Sequence, residues 1–346
     1  MFHNWLDRWD ESRAQSGEEA KTVTGLILDA DRAFPSVGAA ETVDEFCANA
    51  ERAAADPSFF DPPDSSDQAF ELRDGWLKFP SDVATDVAEN NIVWARITES
   101  GKRDQAVVIF HHWNATSRNR QIAGFLSWQG ITVIEIAMPY HLERKRPGSL
   151  YADYMLSANL GRTVQAVKQA VWDGRKLIGW LKREGYRDVS VLGMSLGSWV
   201  AGLVAAHEPA VSRASLFLTA GSLAEMVWSG RATRSIRTSL EPHLTLAQLQ
   251  RAWAPLNLEN HADRLARPGL ELHVILASRD TVVLSGLSDR LLGRLKNAGA
   301  RVNVLRLNCG HYSLGRPPYI LGAGWSLKRF LIQRKAAPFV ASSRSR

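Results

Sequence analysis

The sequence has few cysteines and no long apolar run, and both absences limit what the protein can be. Its two cysteines, Cys47 and Cys309, are too few to form a disulfide framework, which favours a reducing cytoplasm. No stretch of about 18 or more apolar residues occurs, so a membrane-spanning helix is not expected. The opening residues, MFHNWLDRWDESR, lack the apolar run of a secretory signal. We therefore expect a cytoplasmic protein without a transmembrane segment.

Long basic tracts, internal repeats and low-complexity segments are also absent, apart from a short Ser/Arg tail. The net charge of +6 comes from dispersed lysines and arginines, so nucleic-acid binding is not expected. We expect residues 339–346, which contain the tail, to be disordered. With 346 residues, 45% of them hydrophobic, the chain is long enough to bury one large core.

Two regions follow each other along the chain. Residues 1–68 look helical and polar and close in ADPSFFDPPDSSDQ, which indicates a loop after an N-terminal extension. Over residues 69–338, short apolar runs alternate with helical patterns, which predicts a mostly parallel sheet with helices on both faces. A mixed stretch at about 220–267 interrupts this alternation and is interpreted as an inserted helical cap. The predicted strands are Phe70–Phe79, Asn91–Thr98, Gln105–Phe110, Ile131–Ala137, Val189–Leu192, Ala214–Leu218, Leu272–Leu276 and Val302–Leu307.

A serine between two glycines, in Gly-Met-Ser-Leu-Gly, lies where an apolar strand runs into a helix of small residues. Gly193 and Gly197 flank Ser195 at two positions on either side. A serine on so tight a turn needs small neighbours, because the strand and the helix approach closely there. The turn exposes the hydroxyl at the carboxyl edge of the sheet, where ligands gather, and the helix N-terminus offers amide groups. This context favours a nucleophile over a packing serine.

A nucleophilic serine needs a base and an acid that orients the base. Among nine histidines, His311 follows the last predicted strand in LRLNCGHYSLG, where Gly310 permits a sharp turn. Asp280 follows the preceding strand and is the candidate acid, although an aspartate there could also cap a turn. Glu225, after the sixth predicted strand, is the next candidate.

With Ser195, Asp280 and His311 in this order, the sequence resembles the α/β-hydrolase family. The resemblance covers about residues 70–335. The resemblance implies the α/β-hydrolase fold, with a mostly parallel eight-stranded sheet, helices on both faces and an inserted helical cap. It also implies a Ser-His-Asp hydrolase that needs no metal and no organic cofactor.

The resemblance also implies an oxyanion hole, formed by the amide after the nucleophile and one from the loop after the family's third strand. Here the first amide belongs to Leu196, and the loop, HHWNATS, matches Trp113 to the second donor. His112 stands where the family usually has glycine, and here the sequence departs from the family's pattern. We favour the Trp113 amide, and the ring of His112 is an alternative donor.

Carboxylic-ester hydrolysis through an acyl-enzyme is the function that this machinery predicts. Amides, thioesters, lactones, acyl transfer and deacylation of lipids or phospholipids stay open, because the fold hosts all of them. The expected partner is a small-molecule or lipid-derived ester, and a homo-oligomer is left open. Two other classes of function remain: a non-catalytic interaction scaffold, and a zinc site. The zinc site would use His111, His112, His141 and His311.

Substrate contacts are the least specific part of the prediction. Cations in two loops near the predicted site, with Arg118 and Arg144 foremost, suggest an anchor for a carboxylate or phosphate on the substrate. A solvated surface loop is the alternative. Trp199 and Trp228 are candidates to line an acyl pocket together with Trp113 and Trp253, and buried core tryptophans are again the alternative.

Overall fold

The computed structural model describes residues 2–19, 21–63 and 69–332, and within them a single sheet dominates. Its strands lie in the order β1-β2-β3-β5-β4-β6-β7-β8-β9. The strands are β1 Glu71–Arg73, β2 Trp76–Pro80, β3 Ile92–Thr98, β4 Gln105–Phe110, β5 Thr132–Ile136, β6 Asp188–Met194, β7 Val211–Phe217, β8 Glu271–Ala277 and β9 Val302–Leu307. The tail predicted at 339–346 lies outside the described residues.

The sheet is antiparallel at one end and parallel elsewhere. Strands β1, β2, β3 and β5 pair antiparallel in that order, whereas β5, β4, β6, β7, β8 and β9 pair parallel. Every residue of β5 and β7 is buried, as expected for strands covered on both faces. The predicted mostly parallel sheet is therefore confirmed.

The sheet has nine strands, not the predicted eight, because Phe70–Phe79 is not one continuous strand. It forms a hairpin in which Arg73 pairs with Trp76 across a two-residue turn. The turn residues Asp74 and Gly75 have φ of 52° and 73°. Positive φ at both central positions characterises the turn that Asp-Gly favours between antiparallel strands. The signal for this hairpin was present in the sequence.

Helices cover both faces of the sheet. They are α1 Phe2–Glu19, α2 Ala30–Ala33, α3 Val43–Ala55, α4 Arg120–Trp128, α5 Leu160–Arg183, α6 Leu196–His207, α7 Leu223–Ser229, α8 Arg234–Leu240, α9 Leu246–Ala252, α10 Ala262–Leu265, α11 Ser285–Asn297 and α12 Tyr319–Ile332. Among the described residues, no helix is both long and apolar enough to span a bilayer.

Two hydrophobic clusters lie on the two sides of the sheet, and strand alternation assigns residues to them. In β4, Val108 and Phe110 face the cluster built with α5 and α6, whereas Val107 and Ile109 face the one built with α4 and α12. The larger cluster also contains buried residues from segments well beyond the sheet. It includes Phe46 of α3 and Trp253 after α9, both essentially inaccessible to solvent. Parts of the N-terminal segment and of segment 220–267 therefore share the main core.

Candidate active site

Ser195 occupies a strained turn between β6 and α6. Its φ of 51° and ψ of −123° lie in a region that residues with a side chain rarely adopt. Hydrogen bonds hold it there: Ser195 N–H donates to the carbonyl of Phe217 at 2.9 Å, and the carbonyl of Ser195 accepts from Ser198 N–H at 2.7 Å. The Ser198 hydroxyl donates to the same carbonyl at 2.6 Å. The backbone on both sides of Ser195 is thus fixed.

The two glycines that flank Ser195 are required by crowding of backbone against backbone. A Cβ on Gly193 would overlap the carbonyl of Gly197 and the Cα of Ser198. A Cβ on Gly197 would overlap the carbonyl oxygens of Phe110 and His111, at the end of β4. Because the obstacles are main-chain atoms, they cannot move aside as a flexible side chain would.

The structure brings Ser195, His311 and Asp280 together at the carboxyl edge of the sheet. His311 Nε2 lies 3.1 Å from Ser195 Oγ, and His311 Nδ1 lies 2.7 Å from Asp280 Oδ2. The other carboxylate oxygen of Asp280 accepts the backbone N–H groups of Val282 and Val283 at 2.8 and 2.7 Å. Asp280 is therefore oriented by its own loop, with one oxygen left for the histidine.

The backbone N–H groups of Leu196 and Trp113, which both line the pocket with Ser195, are the candidate oxyanion donors. Among the described residues, neither the N–H of Leu196 nor that of Trp113 donates a hydrogen bond to another backbone group. Leu196 opens α6, so its amide belongs to the unpaired first turn of a helix. His112 and Trp113 both line the pocket that contains Ser195. Desolvation and the nearby His311 lower the pKa of His112, although part of its side chain is exposed at the pocket.

His111 and His141 shape the loop that carries Trp113. His111 Nε2 accepts the N–H of Met138 at 3.1 Å, and His141 Nε2 accepts the N–H of Asn114 at 3.0 Å. Both Nδ1 atoms then face carbonyl oxygens at 2.9 and 2.8 Å. Burial lowers the pKa of His111 well below its ordinary value and that of His141 to about 4, which keeps both rings neutral.

These contacts engage both ring nitrogens of His111 and His141, the two buried members of the suggested zinc set. Within residues 2–19, 21–63 and 69–332, no group of three or more His, Cys, Asp or Glu side chains is placed to hold a metal ion. The structure thus gives these histidines a supporting role in the loop, a role that was not predicted from the sequence.

A pocket of about 590 Å³ opens beside Ser195. Much of its wall is apolar, with Leu156, Met194, Phe217, Leu218, Met226, Val282, Leu314 and Ile320. Residues of the N-terminal segment complete it, among them Arg13 and Lys21. Lys21 lies over the ring of Trp113 at 4.1 Å, pairs with Glu18, and has its pKa lowered by burial. Neither cation could be predicted from the sequence, because no local pattern connects it to a serine so far along the chain.

Comparison with known proteins identifies the architecture. No family model matches the sequence, and no curated protein sequence is significantly similar to it. Acetyl xylan esterase 1 from Thermoanaerobacterium sp. JW/SL YS485 superposes with a TM-score of 0.59 at 15% identity, over 92% of this chain and 97% of that one. Acetyl xylan esterase from Paenibacillus sp. R4 gives 0.57 at 13% identity, over 90% and 97%. The chain has the α/β-hydrolase fold.

A longer protein shares the same fold. A puromycin-hydrolyzing peptidase from Mycobacterium tuberculosis superposes with a TM-score of 0.55 at 15% identity. The match covers 69% of this chain but only 37% of the peptidase, so this chain spans well under half of that protein's length. At these identities the likeness establishes the fold, and it confirms the fold that the sequence motifs suggested.

The predicted anchor at Arg144 is wrong, because this side chain is completely buried in the α/β-hydrolase fold. Its Nη1 lies 2.8 Å from Asp173 Oδ2 and also donates to the carbonyl of Ala137 at 3.1 Å. Its Nε and Nη2 both donate to the carbonyl of Asn90. These hydrogen bonds give the Arg144 guanidinium a structural role, because they connect β5, α5 and the loop before β3.

Arg118 is also engaged elsewhere and does not line the pocket. It forms two hydrogen bonds of 2.7 Å with the carboxylate of Glu143, and its guanidinium lies 4.7 Å from the centre of the Trp76 ring.

Glu225, the next candidate for the acid after Asp280, pairs with Arg290 and not with His311.

Of the four tryptophans predicted to line an acyl pocket, Trp113 lines the pocket beside Ser195, whereas Trp199, Trp228 and Trp253 do not. Trp199 is completely buried, and its indole N–H donates to the carbonyl of Gly221 at 2.9 Å. Trp228 is half-buried and contacts Arg237, whose guanidinium lies 5.6 Å from its ring centre. Trp199 is therefore a core residue, which was the alternative interpretation.

Removing the Arg144 side chain should destabilise the fold instead of changing substrate preference. Arg144→Ala leaves Asp173 buried without its partner, so we expect the free energy of unfolding to fall by about 3–5 kcal/mol. Urea unfolding measures this loss. Arg237→Ala, which breaks the exposed pair with Glu241, should change it by about 0.5 kcal/mol or less. Equal stabilities of the two variants would contradict this assignment.

Proposed function

We propose that the protein is a serine hydrolase that cleaves carboxylic esters through an acyl-enzyme. The observation that carries the proposal is the pair of contacts at His311, 3.1 Å to Ser195 Oγ and 2.7 Å to Asp280 Oδ2. These contacts support the assignment of Ser195 as nucleophile, His311 as its base and Asp280 as the acid that orients the base. The strained backbone at Ser195 supports it, since such strain concentrates at functional sites.

In the proposed mechanism, Ser195 Oγ attacks the acyl carbonyl while His311 Nε2 takes the hydroxyl proton. The negative charge that develops on the carbonyl oxygen is stabilised by the amides of Leu196 and Trp113. His311 then protonates the leaving alcohol as its bond to the acyl carbon breaks, which leaves the acyl-enzyme. In the second half of the reaction His311 removes a proton from the attacking water and returns it to Ser195 Oγ as the bond between the acyl carbon and Oγ breaks and the carboxylic acid leaves. Asp280 holds the histidine in the tautomer that each step requires. The ring of His112, on the same pocket wall, remains an alternative donor to the oxyanion.

An ester is the proposed substrate, with an amide as the main alternative. Both acetyl xylan esterases match this chain over nearly their whole length, whereas the peptidase match covers 37% of the peptidase. The pocket volume of about 590 Å³ suits a small organic molecule and supports a small-molecule or lipid-derived ester. Thioesters, lactones and acyl transfer to an alcohol would use the same residues.

We also propose that the catalytic unit is residues 69–338, that residues 1–68 are an extension packed on it, and that 220–267 acts as a cap. Met226, Ala232 and Thr233 of this segment line the pocket, which supports a role in substrate selection. Its opposite side is buried in the main core, so a substitution in the pocket wall tests this role better than excision.

A fluorophosphonate probe should label Ser195 in the native protein. The probe reacts with serines that a neighbouring base activates, so we expect one label per chain, located by peptide mass spectrometry. Ser195→Ala should remove the label and the esterase activity together. Alanine at the exposed Ser58 should leave both unchanged. Labelling that persists in Ser195→Ala would identify another nucleophile, and no labelling of folded wild type would favour a non-catalytic scaffold.

Asp280→Asn should lower kcat by several orders of magnitude, about 10⁴ in the serine proteases that use the same residues. The reason is visible in the loop. Because the N–H groups of Val282 and Val283 need an oxygen, the asparagine must turn its NH₂ toward His311. Nδ1 would then accept, and the proton would move to Nε2, which could no longer receive the serine proton.

Steady-state kinetics and a urea unfolding curve measured on the same preparation check this expectation. A folded Asp280→Asn protein with a near wild-type kcat would remove Asp280 from the mechanism.

A panel of p-nitrophenyl esters with acyl chains of increasing length, run beside a matched p-nitroanilide, tests the bond that is cleaved. We expect esters to be hydrolysed and the anilide to react far more slowly, if at all.

The same panel of esters also tests whether segment 220–267 acts as a cap. Met226→Phe narrows the pocket and should lower kcat/KM for the longest chain by about 10-fold or more while sparing acetate.

Faster cleavage of the anilide would assign the protein to the amide class. An unchanged chain-length profile in Met226→Phe would show that segment 220–267 does not select the acyl group.

A further inference from the structure

The N-terminal helix α1 contacts the loop that carries His311. Asp10, near the middle of α1, is buried with 4% of its surface exposed. Its Oδ1 accepts the backbone N–H groups of Tyr312 and Ser313 at 2.7 and 3.0 Å. Its Oδ2 accepts the hydroxyl of Ser313 at 2.6 Å. Three hydrogen bonds from one carboxylate thus reach the two residues that follow His311.

Ser313 extends this network to the residue before His311. Its hydroxyl oxygen accepts the N–H of Gly310 at 2.8 Å while its proton points to Asp10. The approach is close enough that a Cβ on Gly310 would overlap the Asp10 carboxylate. The backbone before and after His311 is therefore held by a side chain some 300 residues earlier in the sequence.

The same helix contacts the loop of the acid and the pocket wall. Asp7 forms an ion pair with Arg279, the residue immediately before Asp280. Farther along α1, Glu11 pairs with Arg231 at 2.9 Å and Glu18 accepts the N–H of Ser235 at 2.7 Å. Helix α1 therefore connects the His311 loop with segment 220–267.

We propose that Asp10 is a positioning residue for His311. This inference rests on the proposed function, because it assigns Asp10 a task only if His311 is the base. By satisfying the N–H groups of Tyr312 and Ser313, Asp10 fixes the loop in the conformation that keeps His311 Nε2 within reach of Ser195. An error of about 1 Å in such a placement lowers catalytic rates by about 100-fold, whereas substrate affinity depends mainly on the pocket wall. Loss of Asp10 should therefore act on kcat and leave KM nearly unchanged.

The test compares Asp10→Ala, Asp10→Asn and Ser313→Ala with two controls on the same helix. Glu11→Gln breaks an exposed ion pair next to Asp10, and Leu6→Ala removes a buried apolar side chain that makes no hydrogen bond to the loop. For each protein, kcat, KM, the rate of fluorophosphonate labelling at Ser195 and the urea unfolding midpoint are measured.

We expect Asp10→Ala to lower kcat and the labelling rate by about 10- to 100-fold at nearly constant KM. Asp10→Asn, which retains an acceptor oxygen for the two N–H groups, should lose less. Both controls should keep the wild-type kcat, even though Leu6→Ala lowers the unfolding midpoint. If Asp10→Ala does not fold, Asp10→Asn and Ser313→Ala still decide the question, because each removes only part of the network.

Two results would overturn the proposal. The first is wild-type kcat and labelling in folded Asp10 and Ser313 variants. The second is an equal loss of kcat in Leu6→Ala, which would mean that any loosening of α1 has the same effect. Failure of the proposed function looks different, because wild-type Ser195 would then not be labelled at all.

Discussion

The close packing of β6, α6 and the end of β4 is the constraint on which the rest of the site depends. Gly193 and Gly197 let the chain turn with Ser195 at a φ of 51°, and Gly197 lies against the carbonyls of Phe110 and His111. That contact joins the turn to the first residues of the loop that carries Trp113. One steric condition thus sets the serine hydroxyl and both candidate oxyanion donors relative to one another.

His311 and Asp280, the proposed base and acid, are supported by different parts of the chain. Asp280 is oriented locally by two N–H groups of its own loop, so it needs little help from elsewhere. His311 follows the edge strand β9 in a short loop, and its neighbours donate to Asp10 of α1. The loop of Trp113 is held by the neutral rings of His111 and His141. The sheet therefore positions the site coarsely, and buried polar contacts complete the geometry.

Local chemistry explains which features could be predicted from the sequence. Gly193 and Gly197 signal the turn because backbone crowding there leaves no alternative. The order of Ser195, Asp280 and His311 along the chain was recognised by its resemblance to the α/β-hydrolase family. The hairpin at Asp74-Gly75 could also have been predicted from its Asp-Gly pair. It was missed because one continuous strand was predicted over this region. The burial of Arg144 could not be predicted from the sequence. Its partner Asp173 lies 29 residues away in α5, and no local pattern indicates that the guanidinium is buried. The contact between Asp10 and the His311 loop could not be predicted for the same reason, because the two are far apart in the sequence.

The proposed mechanism requires that Ser195 becomes acylated during turnover. Its most direct test is an acid quench of the wild-type protein within milliseconds of mixing with a p-nitrophenyl ester, followed by peptide mass spectrometry. We expect an initial release of p-nitrophenol of up to one equivalent per chain, and an acyl group on the peptide that contains Ser195. An acyl group on a different residue, or turnover by Ser195→Ala at the wild-type rate, would contradict it.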